Sequence, residues 1–144
     1  MTVYLDTSSL LKLYVDEAGS DDIHELVLEA QVVATSIVAY PEARAALARL
    51  RRSGHLSAST FAAAKREFEE QWPAYFAVEL TVGVSHEAGE LAERYALRGF
   101  DAVHLASFAD VARRVTPSDA RFSSFDQELN KAARHLARRL DDRR

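Results

Sequence analysis

The feature that most constrains this chain is its alternation of short β-branched or apolar runs with longer stretches of helical periodicity. Val3-Tyr4-Leu5 reads as a strand, followed by a helix through Leu10, Leu11, Leu13 and Tyr14. A second helix is predicted over residues 21–30 and a second strand at Val32-Val33-Ala34. Ile37, Tyr40, Ala43, Leu47 and Leu50 recur at three- and four-residue spacing, which predicts a long helix ended by Gly54. Ser57 or Ser59 can cap the next helix, and Pro73 closes it. A third strand is predicted over residues 78–82, then a helix striped by Ala88, Leu91, Ala92 and Tyr95. Gly99 is expected to break that helix before another starts at or near Asp101. This one, through Val103, Leu105, Ala106, Phe108 and Ala109, is apolar almost all round, as in helices buried on several sides. A fourth strand over 121–125 and a final helix through Leu129, Ala133, Leu136 and Leu140 complete the pattern. Such alternation specifies an α/β fold, a parallel sheet covered on both faces with right-handed crossovers.

The 144 residues suit one domain spanning 1–144, with no linker, repeat or low-complexity segment. Cysteine is absent, which excludes disulfides, thiolate zinc sites and cysteine nucleophiles. No run reaches the length of a membrane span, and the opening residues lack the regions of a signal peptide, so a cytoplasmic protein is expected. The net charge of −4 argues against a general nucleic-acid coat. It is unevenly spread: residues 1–42 hold eight acids and one base, Lys12, whereas the remainder is slightly basic. Arg49-Leu50-Arg51-Arg52 can meet phosphates or simply solvate a helix end.

In open α/β sheets, ligands collect at the carboxyl ends of the strands. Asp6 directly follows the first strand, Asp126 the fourth; Glu42 lies just over one turn into the helix after the second strand, and Asp101 opens the most apolar helix. Four carboxylates brought to one edge repel, and burial worsens the conflict. A hard divalent cation, Mg²⁺ or Mn²⁺, removes it. Each acid also has a structural reading. Asp6 can cap a helix, although Ser8 serves equally well; Asp126 can cap the last helix; the macrodipole favours Asp101; and Glu42 can be a solvated residue. The joint placement favours a metal site.

Other groups are weaker candidates. His104 lies three residues after Asp101 and is expected to be a buried, hydrogen-bonded structural histidine. His86 and Glu90 lack a third ligand and read as a surface pair. Tyr4, Tyr14, Phe61, Phe68, Trp72, Tyr75 and Phe76 can stack on bases but at helical spacing more often form core. A phosphoryl-receiving domain would need a lysine after a late strand, where neither Lys65 nor Lys131 falls. A two-aspartate phosphatase would want an acid two residues after Asp6, where Ser8 stands. A non-cleaving RNA- or protein-binding module would have no use for a complete acid set.

Four segments together resemble the PIN-domain family, and within it the VapC-type toxins. They are Val3-Tyr4-Leu5-Asp6-Thr7-Ser8-Ser9-Leu10-Leu11-Lys12-Leu13-Tyr14, Pro41-Glu42-Ala43-Arg44-Ala45-Ala46-Leu47, Gly99-Phe100-Asp101-Ala102-Val103-His104-Leu105-Ala106 and Ser123-Ser124-Phe125-Asp126-Gln127-Glu128-Leu129. The resemblance covers essentially the whole chain and implies a three-layer α/β/α fold with a short central parallel sheet of about four strands. It further implies one or two Mg²⁺ or Mn²⁺ ions held by Asp6, Glu42, Asp101 and Asp126, with Thr7 or Ser124 as hydroxyl partners. By the same resemblance the activity is endonucleolytic cleavage of RNA, the assembly a homodimer, and the partner a small antitoxin whose tail enters the active-site groove. Some features depart from the family's pattern. Pro41 precedes Glu42 and deletes a helix hydrogen bond unless the helix starts late or kinks there. No apolar strand follows the last helix, and Arg138-Arg139 through Arg143-Arg144 reads as a frayed basic tail. Asp119 is an alternative fourth acid; Asp126 is preferred because Asp119 precedes its strand and so falls at the wrong end.

Overall fold

Successive residues of a strand face opposite sides of a sheet, and in β1 (Thr2–Leu5) every residue is buried, so both sides must be covered. A computed structural model describes residues 1–143, apart from the side chain of Pro117. In it β1 is central to a four-stranded parallel sheet with β2 (Val32–Ser36), β3 (Phe76–Val78) and β4 (Ala120–Ser123), in the order β3-β2-β1-β4. Val3 and Leu5 pack with Leu10, Ile23, Ala43, Leu47 and Phe68, which belong to α1 (Thr7–Leu11), α2 (Ser20–Glu29), α3 (Ala39–Arg52) and α4 (Ala58–Gln71). Tyr4, Ala34 and Val78 pack on the other side against α5 (Val82–Tyr95), α6 (Gly99–Arg114) and α7 (Gln127–Asp141). These are the three layers expected.

Helix α6 is the innermost. Ten of its residues are buried, and Ala102, Ala106, Ala109 and Ala112 are fully enclosed, which lets the helix lie close to the sheet. Tyr14, Tyr40, Phe68, Trp72 and Tyr75 form one aromatic cluster on the opposite side, so these rings serve the interior rather than a base-stacking surface. Among the described residues no helix is long and apolar enough to cross a membrane.

The chain builds β1, β2 and β3 outward and then returns to lay β4 on the other side of β1, creating a switch point between β1 and β4. Parallel pairing from Thr2↔Ala120 to Leu5↔Ser123 brings both strand ends to the same level, and the Asp6 N–H continues the ladder by donating to the Ser123 carbonyl at 3.1 Å.

Several boundaries differ from expectation. The third strand is Phe76–Val78 rather than 78–82, because the Thr81 hydroxyl accepts from the Val84 N–H at 3.1 Å and starts α5 there. The fourth ends at Ser123, two residues early, since the next segment turns to cap α7. Gly99 does not break α5; Ala96 does, in the left-handed region at φ 52°, and Gly99 is already the first residue of α6. Pro41 falls in the first turn of α3, where its missing N–H had no intrahelical acceptor, and the Glu42 N–H bonds normally to the Val38 carbonyl at 3.2 Å. The basic tail is not frayed at Arg138 and Arg139: α7 continues through them to Asp141, and Arg144 lies outside the described residues.

Candidate metal centre

Asp6 occupies the switch point and is 6% exposed. Its Oδ1 accepts from the Ser8 hydroxyl at 2.6 Å and the Ser9 N–H at 3.0 Å, and its Oδ2 accepts from the Ser124 hydroxyl at 2.5 Å. Asp6 is therefore the cap of α1; Ser8, the alternative cap, instead donates to it. Ser8 Oγ accepts from the Phe125 N–H and Ser124 Oγ from the Asp126 N–H, each at 3.0 Å. Two backbone donors of the last loop thus reach Asp6 through two hydroxyls, in chains where each bond polarises the next.

Glu42 approaches from the first turn of α3. Its Oε1 takes the Thr7 hydroxyl at 2.7 Å and lies 2.9 Å from His104 Nε2. Burial pushes its carboxyl up, but the hydrogen bonds from His104 and Thr7 outweigh this and leave its pKa below the ordinary value. His104, 3% exposed on α6, reaches Tyr4 on β1 with its other nitrogen: Nδ1 lies 2.8 Å from the phenol oxygen. It is the buried, hydrogen-bonded histidine expected, and one of its bonds ends on a site carboxylate.

Asp101 stands in the first turn of α6, where the macrodipole favours its charge. Its pKa is nevertheless raised, by burial first and then by repulsion from Asp126, Asp6 and Glu42. Asp101 therefore feels the charge of each of the other three acids. Asp126, exposed after β4, uses Oδ1 to cap α7, accepting from Glu128 N–H at 2.9 Å and Leu129 N–H at 3.1 Å. Asp119 is exposed before β4 and is bonded by the neighbouring Thr116 hydroxyl, apart from this group. His86 and Glu90 are exposed on α5.

Among the described residues no three acid or imidazole groups already stand in a closed ligating arrangement. The donor set nonetheless suits a hard divalent ion. It offers carboxylate oxygens, the donors such ions prefer, from Asp101 and from the three acids whose charges reach it. Of the hydroxyl partners expected, Ser124 serves Asp6 and Thr7 serves Glu42. Ser8 and the Tyr4–His104 contact were not legible as parts of the site. The available signals were a hydroxyl two residues after the first acid and a histidine one turn after the third.

The PIN domain model matches residues 3–134. Over 105 residues the chain is 47% identical to Ribonuclease VapC45 and to Ribonuclease VapC49 of Mycobacterium tuberculosis, 73% of this chain and of each relative being covered. Its fold is similar to that of PAE2754 from Pyrobaculum aerophilum, with a TM-score of 0.64 and 22% identity, covering 99% of this chain and 90% of that one. It is also similar to the Mycobacterium tuberculosis VapC20, a sarcin-ricin loop cleaving toxin, with a TM-score of 0.63 and 20% identity, covering 90% of this chain and 94% of that one. A strand-end acid cluster in this three-layer fold, with these relatives, makes the chain a member of the PIN-domain family, of the VapC type.

Proposed function

We propose that the protein is a divalent-metal-dependent endoribonuclease, acting as the toxin of a toxin–antitoxin pair. One observation supports the reading: Asp101 is crowded by the like charges of Asp126, Asp6 and Glu42, acids from distant parts of the chain, and Asp6 follows β1 beside the point where the sheet reverses. Asp6, Glu42, Asp101 and Asp126 would hold one or two Mg²⁺ or Mn²⁺ ions. A bound ion would acidify water and offset charge on a phosphodiester.

The protein's own contribution is orientation. Asp6 is fixed by three donors and Glu42 by two, while Asp101 and Asp126 Oδ2, which takes no hydrogen bond among the described residues, would complete the ligand set. In-line attack of water on phosphorus, with loss of the 3′ oxygen, leaves a 5′-phosphate and needs no 2′-hydroxyl. RNA specificity would then reside in the surrounding surface rather than in the acids. A homodimer and a small antitoxin entering the same groove are the partners proposed with this activity. The test is cleavage of labelled RNA by purified protein with Mg²⁺, with Mn²⁺ and with chelator, alongside Asp101→Asn. Cleavage that needs the metal and is lost in the variant supports the reading; chelator-resistant cleavage, or a variant cutting at the wild-type rate, overturns it.

A further inference from the structure

Hydrogen-bond direction around Glu42 can be worked out atom by atom. The carboxylate accepts, and the Thr7 hydroxyl spends its proton on Oε1 at 2.7 Å. His104 Nε2 lies 2.9 Å from that same oxygen and 3.2 Å from Thr7 Oγ1, so the hydrogen these contacts share must sit on Nε2. At the far side of the ring, Nδ1 faces the Tyr4 phenol at 2.8 Å in a fully enclosed position. A phenol, whose ordinary pKa is about 10, keeps its proton at neutral pH. A protonated phenol facing a ring nitrogen with a lone pair donates to it. Both bonds to Glu42 end on Oε1; Oε2 takes none among the described residues.

We infer that Tyr4 and His104 are positioning residues for Glu42: the Tyr4 phenol donates to Nδ1, this keeps the proton on Nε2, and the Nε2–H with the Thr7 hydroxyl pins Oε1 so that Oε2 is the one oxygen presented to a cation. The inference rests on the metal-centre reading and adds a specific path to it. Tyr4 belongs to β1 and His104 to α6, so the orientation of a group on α3 is set through the core by two other elements. Partners that fix the tautomer or orientation of groups around a metal are worth about 10–100-fold in metal affinity.

Two measurements test it. Long-range ¹H–¹⁵N correlation spectra of the metal-free wild-type protein at neutral pH read the His104 ring directly. A protonated Nε2 with a bare Nδ1 is expected; a proton on Nδ1, or on both nitrogens, overturns the inference without reference to activity. Mn²⁺ affinity by paramagnetic resonance titration then compares Tyr4→Phe, His104→Gln and His104→Leu, with thermal melts beside them. Gln can keep a donor towards Glu42, so His104→Gln should stay within about 3-fold of wild type, whereas His104→Leu should lose about 10–100-fold and Tyr4→Phe should fall between them. Equal losses in the Gln and Leu variants, or no loss in either, overturn the relay. Failure of the wild-type protein to bind Mn²⁺ overturns the metal-centre reading instead, and the two failures are distinguishable because the ring spectrum needs no metal.

Discussion

Replacing Asp101 by Asn should stabilise the metal-free protein while abolishing metal-dependent cleavage. The side chain keeps its shape and loses its charge, and the structure says what that charge costs. Its pKa is raised by burial and by Asp126, Asp6 and Glu42. Because the group is only partly buried, solvent and salt screen it, and we expect a gain of about 1 kcal/mol. For a domain of this size that is a rise in Tm of about 2–4 °C. The sign follows from linkage. A carboxyl whose folded pKa lies above its unfolded value contributes stability fully at low pH and loses it as pH rises through the folded pKa. The gap between variant and wild type should therefore be widest near neutrality and close below about pH 4. Calorimetric melts with chelator across that range provide the assay, and excess Mn²⁺ should raise the wild-type Tm more than that of the variant. A variant less stable than wild type at pH 7 without metal, or a gap independent of pH, would refute the charge-crowding account.

Three further outcomes follow from the geometry. Asp126→Asn retains a capping acceptor for the Glu128 and Leu129 N–H groups, whereas Asp126→Ala does not; both should lose activity, but only the Ala variant should lose about 1 kcal/mol in denaturant melts. Ser124→Ala removes the hydroxyl between Asp6 Oδ2 and the Asp126 N–H, and should cost about 1.5–3 kcal/mol together with a measurable loss of Mn²⁺ affinity. Gly19→Ala is strained twice: φ is 92°, and a Cβ would lie 2.6 Å from two atoms of the Phe125 ring. That variant should melt lower by more than the roughly 1 kcal/mol of a left-handed alanine alone, and Gly19→Ala combined with Phe125→Leu should recover part of the loss.

The alternation of strand and helix was legible because periodicity reports burial, and β1 and α6 are buried as their apolar patterns require. The ends of elements were less so. Val78, Leu80 and Val82 alternate with Glu79 and Thr81 as in a half-buried strand, yet Leu80 and Val82 are exposed, and the Thr81 cap starts a helix after the strand has already stopped. The four candidate acids could be proposed because each follows a strand or falls in the first turn of a helix, a position visible in one dimension. What supports them could not. Tyr4 and His104 are 100 residues apart, and that Tyr4 points to the α6 side, not the α3 side, depends on the pairing register of β1. Ser8 was misjudged for a related reason: local rules rate it as a cap equal to Asp6, whereas it donates to Asp6 and accepts from the Phe125 N–H, which comes from the far end of the fold's sequence.

The last loop reaches Asp6 across a sequence separation of 118 residues. Synthesis runs from the amino terminus, so Asp6 waits without Ser124 until 118 further residues have been made. A nascent chain stopped before residue 120 lacks β4 and holds an unfinished centre. The order of the motifs along the polypeptide acts as a timing device: the first carboxylate meets its last hydrogen-bond partner only after β4 and the loop behind it have been made.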